Sequence, residues 1–547
     1  MLLTGSTSPK VGPVIHLCFI VNKTDTRIMN TRKLSMIALL LMAATQGAMA
    51  QSGYPVIVKH GVEEAGNWSA NPERAASGQT VTVTYNGTLK VKSLDVTPVV
   101  PTDLSLVDCA GNTNANGRTT ANCYMVHTAG DYRLPLVYGN AIKNGTLNSA
   151  AYTGPNSGTN TTKNFPNHAG TNITAPWITK ATTGSGVDKG MGIGVASAEL
   201  LWQDAPGIVT AVDIEGDYLT LTVGKNATEQ EGNAVVAAKD GNGNIVWSWH
   251  IWLTRQTFAA ADLTEVATGS HNYQLTPVNV GWVGTPFGRG YSPYYQWGRK
   301  DAFIPADITV VDKEKPAATT KTTSTESSSG SNPGVHIVVK VDTEQFEVYQ
   351  VTLSNSHTVY DIDGNPVTGI VLDNLNTDAN IADNIKAPTT FRYEADKTYC
   401  NLWNAQTGST EDVSTATVKT VYDPCPPGFC VPTDNLYSYL GSLTVVKIPW
   451  DDERMGRIYT LTTETTEGNT VTTTTTPTVF FPAQGKRDYR NQMVDVDRIS
   501  SFWSATGFVD SNSKKKAHVF YISDRGLAVS SYQSRGVGSP VRAVAEE

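Results

Sequence analysis

Tyr422-Asp-Pro-Cys-Pro-Pro-Gly-Phe-Cys-Val-Pro-Thr433 packs four prolines and a glycine into twelve residues. Proline has no amide proton and a fixed φ, so this stretch can be neither helix nor central strand and reads as a stiff, irregular loop. Cys425 and Cys430 inside it, with Cys400 a short way upstream, offer a staple for a segment whose backbone bonds only weakly to itself. The loop is a scaffold for whatever the last domain presents; its residues form no catalytic motif.

The 547-residue chain has room for about three domains once leader segments are removed. Charged residues make up only 17% and glycine numbers 47, with Thr, Ser and Asn in place of Lys and Glu, which favours strands and turns over amphipathic helices. A net charge of -8, with no long basic run beyond Lys514–Lys516, leaves no footprint for nucleic acid.

Met29 opens an export signal: Arg32 and Lys33, then the apolar Leu34–Ala44, then Ala48-Met49-Ala50 before Gln51. Residues 29–50 are therefore expected to be a signal peptide, residues 1–28 an upstream extension, and the mature chain to begin at Gln51. The apolar run falls short of the ~20 residues a membrane-spanning helix needs, and no later segment is apolar enough, so no transmembrane segment is expected. Secretion places the remaining cysteines where disulfides persist. Cys109 and Cys123 flank the turn-forming Gly-Asn-Thr-Asn-Ala-Asn-Gly and are expected to close a hairpin loop. Among Cys400, Cys425 and Cys430 one is left over unless it pairs between chains. No histidine stands at finger-like spacing to them, so neither a metal nor another cofactor is expected.

The expected fold is mainly β and multidomain. Residues 51–101 form a small β-sandwich-like module: Tyr54–His60, Gln79–Tyr85 and Thr88–Leu94 alternate apolar with polar, with a turn at Asn86-Gly87. Residues 102–272 form a second β-rich unit with strands at Cys123–His127, Tyr132–Val137, Tyr218–Val223, Ala234–Ala238 and Ile245–Thr254. In the last of these, Ile245, Trp247, Trp249, Ile251 and Leu253 share one face and read as core, while Trp252, on the mixed face with Ser248 and His250, is a candidate for ligand contact. Asp240, Asn242 and Asn244 imitate a calcium loop, but glycine is missing at the sixth place and no bidentate Glu follows, so a hairpin turn is expected.

From residue 273 onward, seven ordered blocks stand out: Leu275–Val283, Tyr294–Asp301, Asn401–Asn404, Tyr422–Thr433, Phe481–Asn491, Ser501–Thr506 and Gly538–Val544. In that order they resemble the Fibrobacter succinogenes major paralogous domain family of Bacteroidetes surface proteins, often found beside or within fimbrillin-type proteins. The resemblance covers about half the mature chain. It implies a C-type-lectin-like α+β fold over residues 273–547, interrupted by an insertion at about 304–396, and a binding module rather than an enzyme. Trp297, Trp403 and Trp503 are expected to fill its core and Arg299 and Arg542 to brace loops. Ligand-contact candidates there are Tyr294, Arg299 and Tyr489. Cys430 departs from the family's more usual polar or basic residue, leaving the partner of Cys400 open between Cys425 and Cys430. The triplets with which calcium-dependent lectins hold sugar are absent, so calcium-mediated sugar binding is not expected.

Residues 311–334 read as a polar loop, Val335–Val341 and Gln345–Leu353 as strands, and Leu461–Pro477 as a flexible loop or an exposed Thr-rich hairpin. No nucleophile elbow, zinc-protease helix, phosphate loop or dinucleotide fingerprint occurs. Carboxylates do pair, at Asp451-Asp452 and at Asp495 with Asp497, but surface charge is their default role. The expected protein is an exported cell-surface adhesin or tip-like fimbrial protein. Its partners would be a host or bacterial surface glycan or protein and other fimbrial subunits; the alternatives are a structural fimbrial or surface-layer subunit without a small ligand and a secreted carbohydrate-active enzyme.

Overall fold

A computed structural model describes residues 100–547 except 155–159, 286–288, 314–333, 343–344, 355–356, 370, 374–379, 393–398, 408–415, 444–447, 452–453, 468–469, 511–514 and 527. Before residue 100 it describes the backbone of six short strands, among them His16–Leu17 paired with Leu41–Met42. The expected signal peptide and upstream extension otherwise lie outside the described residues. The chain divides into two compact units, Met1–Pro101 and Thr102–Glu547.

In the first unit Val56–Lys59 pairs antiparallel with Asp95–Pro98, and Val62–Ala70 with Val83–Val91. The turn expected at Asn86-Gly87 is corrected: both residues lie inside the strand, opposite Asn67 and Gly66. A partner strand of matching length supplies ladder bonds on either side, and pairing overrides the dipeptide's turn preference.

The second unit is mostly β. Its largest sheet runs in the order Pro366–Val367, Val359–Tyr360, Ser197–Gln203, Gly232–Lys239, Ile245–Leu253 and Cys123–Val126. Residues from the expected insertion thus extend a sheet whose first strand in the chain is Cys123–Val126, with Tyr360 opposite Gln203. The turn at Asp240–Asn244 closes as a hairpin, its Asp240 carboxylate accepting from the amides of Asn242 and Asn244, both at 2.9 Å.

Ile245–Leu253 lies between two neighbouring strands, and both its faces are covered. On one, Trp247 Nε1 donates to Asn122 Oδ1 at 3.0 Å. On the other, the Lys300 ammonium bonds Ser248, and Tyr295 OH lies 3.2 Å from His250 Nδ1. The near-continuous run Ile-Val-Trp-Ser-Trp-His-Ile-Trp-Leu is what a strand buried on both faces needs.

The boundary expected between residues 272 and 273 falls within the strand Asn272–Leu275, which pairs on one side with Thr264–Ala267 and on the other with Val544. One hydrophobic cluster joins Tyr124, Leu134 and Trp247 to Trp297, Trp403 and Trp503. A second packs Leu436, Tyr437 and Leu440 of the helix Asp434–Ser442 against Phe481, Phe502 and Phe520. That helix and the sheet of Ile499–Val509, Lys515–Ser523 and Ala528–Ser534 lie against each other, with Tyr437 stacked on Phe520 at 5.6 Å. The Thr-rich stretch pairs as a hairpin of Gly456–Glu467 with Thr470–Pro482. In the insertion, Asp307–Lys313 is a strand against Gln345–Ser354, so the loop expected from residue 311 has strand at its start.

The sequence blocks meet. Tyr295 pairs with Ser539, Trp503 Nε1 donates to the Tyr295 carbonyl at 2.7 Å, and Trp297 Nε1 donates to the Ser504 carbonyl at 3.0 Å. Because residues from both sides of position 272 share this core, Thr102–Glu547 should unfold as one step. Trp503→Ala is expected to lower its stability by about 3–5 kcal/mol in urea denaturation; two separate transitions, one unmoved by the substitution, would contradict the shared core.

Candidate functional site

Residues 416–433 and the last strand frame a cleft of about 190 Å³ lined by Lys143, His271, Tyr273, Lys419, Cys430, Glu546 and neighbours. Its walls come from distant segments because Val544–Ala545 is the strand between Asn272–Leu275 and Phe429–Cys430. The strand delivers Glu546 and Glu547, and Lys143, Lys419 and His271 collect them. Lys143 Nζ lies 2.8 Å from one Glu546 oxygen, and Lys419 Nζ lies 3.3 Å from the other. Lys143 also donates to the Glu547 carbonyl at 3.1 Å, and His271 meets the Glu547 side chain.

Lys419 is buried and also donates to the carbonyls of Cys425 at 3.2 Å and Pro426 at 3.0 Å. Burial opposes its charge most strongly, but the Glu546 and Asp423 carboxylates outweigh it and hold the ammonium above its ordinary value. Asp423 behaves oppositely: burial pushes its carboxyl up to about 6, although Lys419 and the amides of Val431 and Cys425 pull it down. Chemically the cleft is lined by a carboxylate clamp whose lysines hold the chain's own glutamates.

The sequence candidates fall elsewhere. Trp252 is fully buried and donates to the Trp282 carbonyl at 2.9 Å; Tyr294 is buried and donates to the Gln484 carbonyl at 2.5 Å. Arg299 is buried and braces the chain by donating to Thr390 O at 2.7 Å and Ala387 O at 3.1 Å. A second packed layer covers the face on which Trp252 stands, so these three serve the interior. Tyr489 stands at the surface, 38% exposed, beside Arg490.

The disulfide expectations are corrected: Cys109, Cys123, Cys400, Cys425 and Cys430 are all buried free thiols. Each is held by its own packing and contacts rather than by a cystine bond. Cys109 donates to the Pro427 carbonyl at 3.2 Å, Cys123 opens a strand against Ile245–Leu253, and Cys400 Sγ accepts from Arg535 at 3.1 Å. Burial raises the thiols of Cys123, Cys425 and Cys430, which removes the reactive thiolate. Among the described residues no group of three or more His, Cys, Asp or Glu is placed to hold a metal. No helix among them is long and apolar enough to cross a membrane.

The sequence reading missed Lys143, His271, Lys419 and Glu546, which come from separate segments without a motif. The one available signal was the Glu-Glu pair directly after the last block. No family model, curated protein or solved structure matches the chain.

Two outcomes follow from the clamp. Lys419→Met leaves a carboxylate and two carbonyls without their buried donor and should cost about 3 kcal/mol in thermal or urea unfolding. Asp423 is raised in the folded chain from 3.8 to about 6, so its stabilising contribution is fully present below about 3.8 and is lost as pH rises through about 6. Asp423→Asn removes that titration. Between pH 4 and pH 7.5 its stability relative to the wild type should improve by about 2–3 kcal/mol, from 1.36 kcal/mol per unit; a flat difference over that range would contradict the assignment.

Proposed function

We propose that this is an exported cell-surface protein, an adhesin or tip-like fimbrial component, whose C-terminal part is a C-type-lectin-like binding module. The observation that carries the reading is the convergence of six of the seven sequence blocks on one core around Trp297, Trp403 and Trp503, to which the remaining block is tied where Arg487 pairs with Gly538. Large loops held on such a core suit recognition, because binding residues work best on rigid supports. The paired acids also favour binding over catalysis: Asp451 is held by Arg454 at 2.7 Å and Asp497 by Arg289 at 3.1 Å.

Residues 51–547, applied to arrays of oligosaccharides and of fibrous and cell-surface proteins, should show saturable binding to at least one ligand class. Uniform silence on both arrays would overturn the adhesive reading and leave a purely structural subunit.

A further inference from the structure

We propose that the surface centred on Tyr532 is a stacking site for a neutral oligosaccharide, an inference that rests on the binding role argued above and gives it a location and a ligand class. Tyr532 lies on the outer strand Ala528–Ser534 of the three-stranded sheet and is 54% exposed, the most exposed aromatic side chain among the described residues. An exposed tyrosine alone signifies little. This one is braced.

Phe508, itself buried, meets the Tyr532 ring nearly perpendicular, with centroids 5.7 Å apart. The Lys516 ammonium lies 4.1 Å from the Tyr532 ring centre and is paired with Asp510 at 3.0 Å. His518 stands directly opposite Tyr532 in the ladder, packs on Phe508 at 4.7 Å and lies 3.4 Å from the Asp434 carboxylate. Asp434 is in turn fixed by Ser530 at 3.0 Å and Ser438 at 2.8 Å. The tyrosine ring is therefore held at a set tilt, with the Lys516 ammonium over one face, leaving the other to a ligand, and the Asp510 carboxylate paired to that ammonium.

A pyranose ring has the complementary layout. One face carries axial C–H groups that pack on an aromatic surface, and its edge carries vicinal hydroxyls that both donate and accept. Lys516 and Asp510, at 21% and 15% side-chain exposure, are accessible yet ordered by their pairing, so contacting hydroxyls need not order them first. Among the described residues the Lys516 ammonium at the ring is balanced by the Asp510 carboxylate. That balance suits a neutral sugar and disfavours sialylated or sulfated ones.

The test uses residues 51–547 against neutral glucose-, galactose- and mannose-based oligosaccharides and their sialylated and sulfated counterparts, followed by calorimetry on the strongest neutral ligand. Tyr532→Ala should weaken binding about tenfold or more, while Tyr532→Phe and Tyr532→Trp keep it within about threefold. Asp510→Asn should weaken it by a similar factor, and the unfolding midpoint of Tyr532→Ala should stay at the wild-type value. Neutral-sugar binding unaffected by Tyr532→Ala, or binding confined to anionic sugars or to proteins, overturns this site but leaves the adhesive reading standing. Silence toward sugars and proteins alike overturns both.

Discussion

The proline-rich loop cannot satisfy its own backbone, and the rest of the second unit is arranged to do so. Buried carbonyls need donors, and a segment with this many prolines has few amides to offer and joins a ladder only at Phe429–Cys430. The donors come from across the chain. Asn122 Nδ2 reaches the carbonyls of Val421 at 2.7 Å and Asp423 at 2.8 Å, and Asn140 reaches Thr420. Lys419 serves Cys425 and Pro426, Cys109 serves Pro427, and the amides of Ala505 and Glu546 serve Pro432 and Gly428. The Asp423 carboxylate completes the set by accepting from the amides of Cys425 and Val431. Residues more than 300 positions apart are thereby bound to one short stretch, which is why no division at residue 272 survives folding.

The same shortage explains the buried arginines. Arg299, Arg487, Arg535 and Arg542 are all buried in a chain that is poor in charge, and their principal partners are carbonyls. Arg542 donates to Pro277 O at 2.7 Å, Thr276 O at 3.1 Å and Phe480 O; Arg535 donates to Tyr399 O at 2.6 Å and Lys516 O at 3.1 Å. A guanidinium offers five donors in a rigid fork, so one side chain can close several irregular backbone segments at once. Desolvation is the cost, and burial pulls Arg542 down to about 9 and Arg299 to about 10. Loop-rich architecture and buried cations are therefore two sides of one requirement.

Strands and core were legible in the sequence because their signals are local. Tyr218–Val223 shows at its own bounds, and Trp297, Trp403 and Trp503 are core because their size and motif setting leave little else. Trp252 was misleading for a physical reason: alternation identifies which residues share a face, but not whether a second layer will cover the polar-looking one. Asn86-Gly87 misled likewise, since turn preference is weak against a pairing partner elsewhere in the chain. The Lys143–Lys419–Glu546 clamp joins three unrelated segments, and no spacing rule reports such a meeting. Tyr532 was invisible until the sheet placed Phe508, Lys516 and His518 around it.

The free cysteines bear on how such a fold would endure in an oxidising compartment. A thiol reacts as thiolate, and burial suppresses that form for Cys123, Cys425 and Cys430. Cross-links work chiefly by limiting the unfolded chain. Here the work of holding the loop falls to native-state donors from Asn122, Asn140, Lys419 and Cys109. A loop tethered in that way is held only while its donors are in place, so its rigidity is coupled to the integrity of the whole core. Whatever the loop carries gains fixed geometry without a covalent staple, and loses it together with the fold rather than one loop at a time.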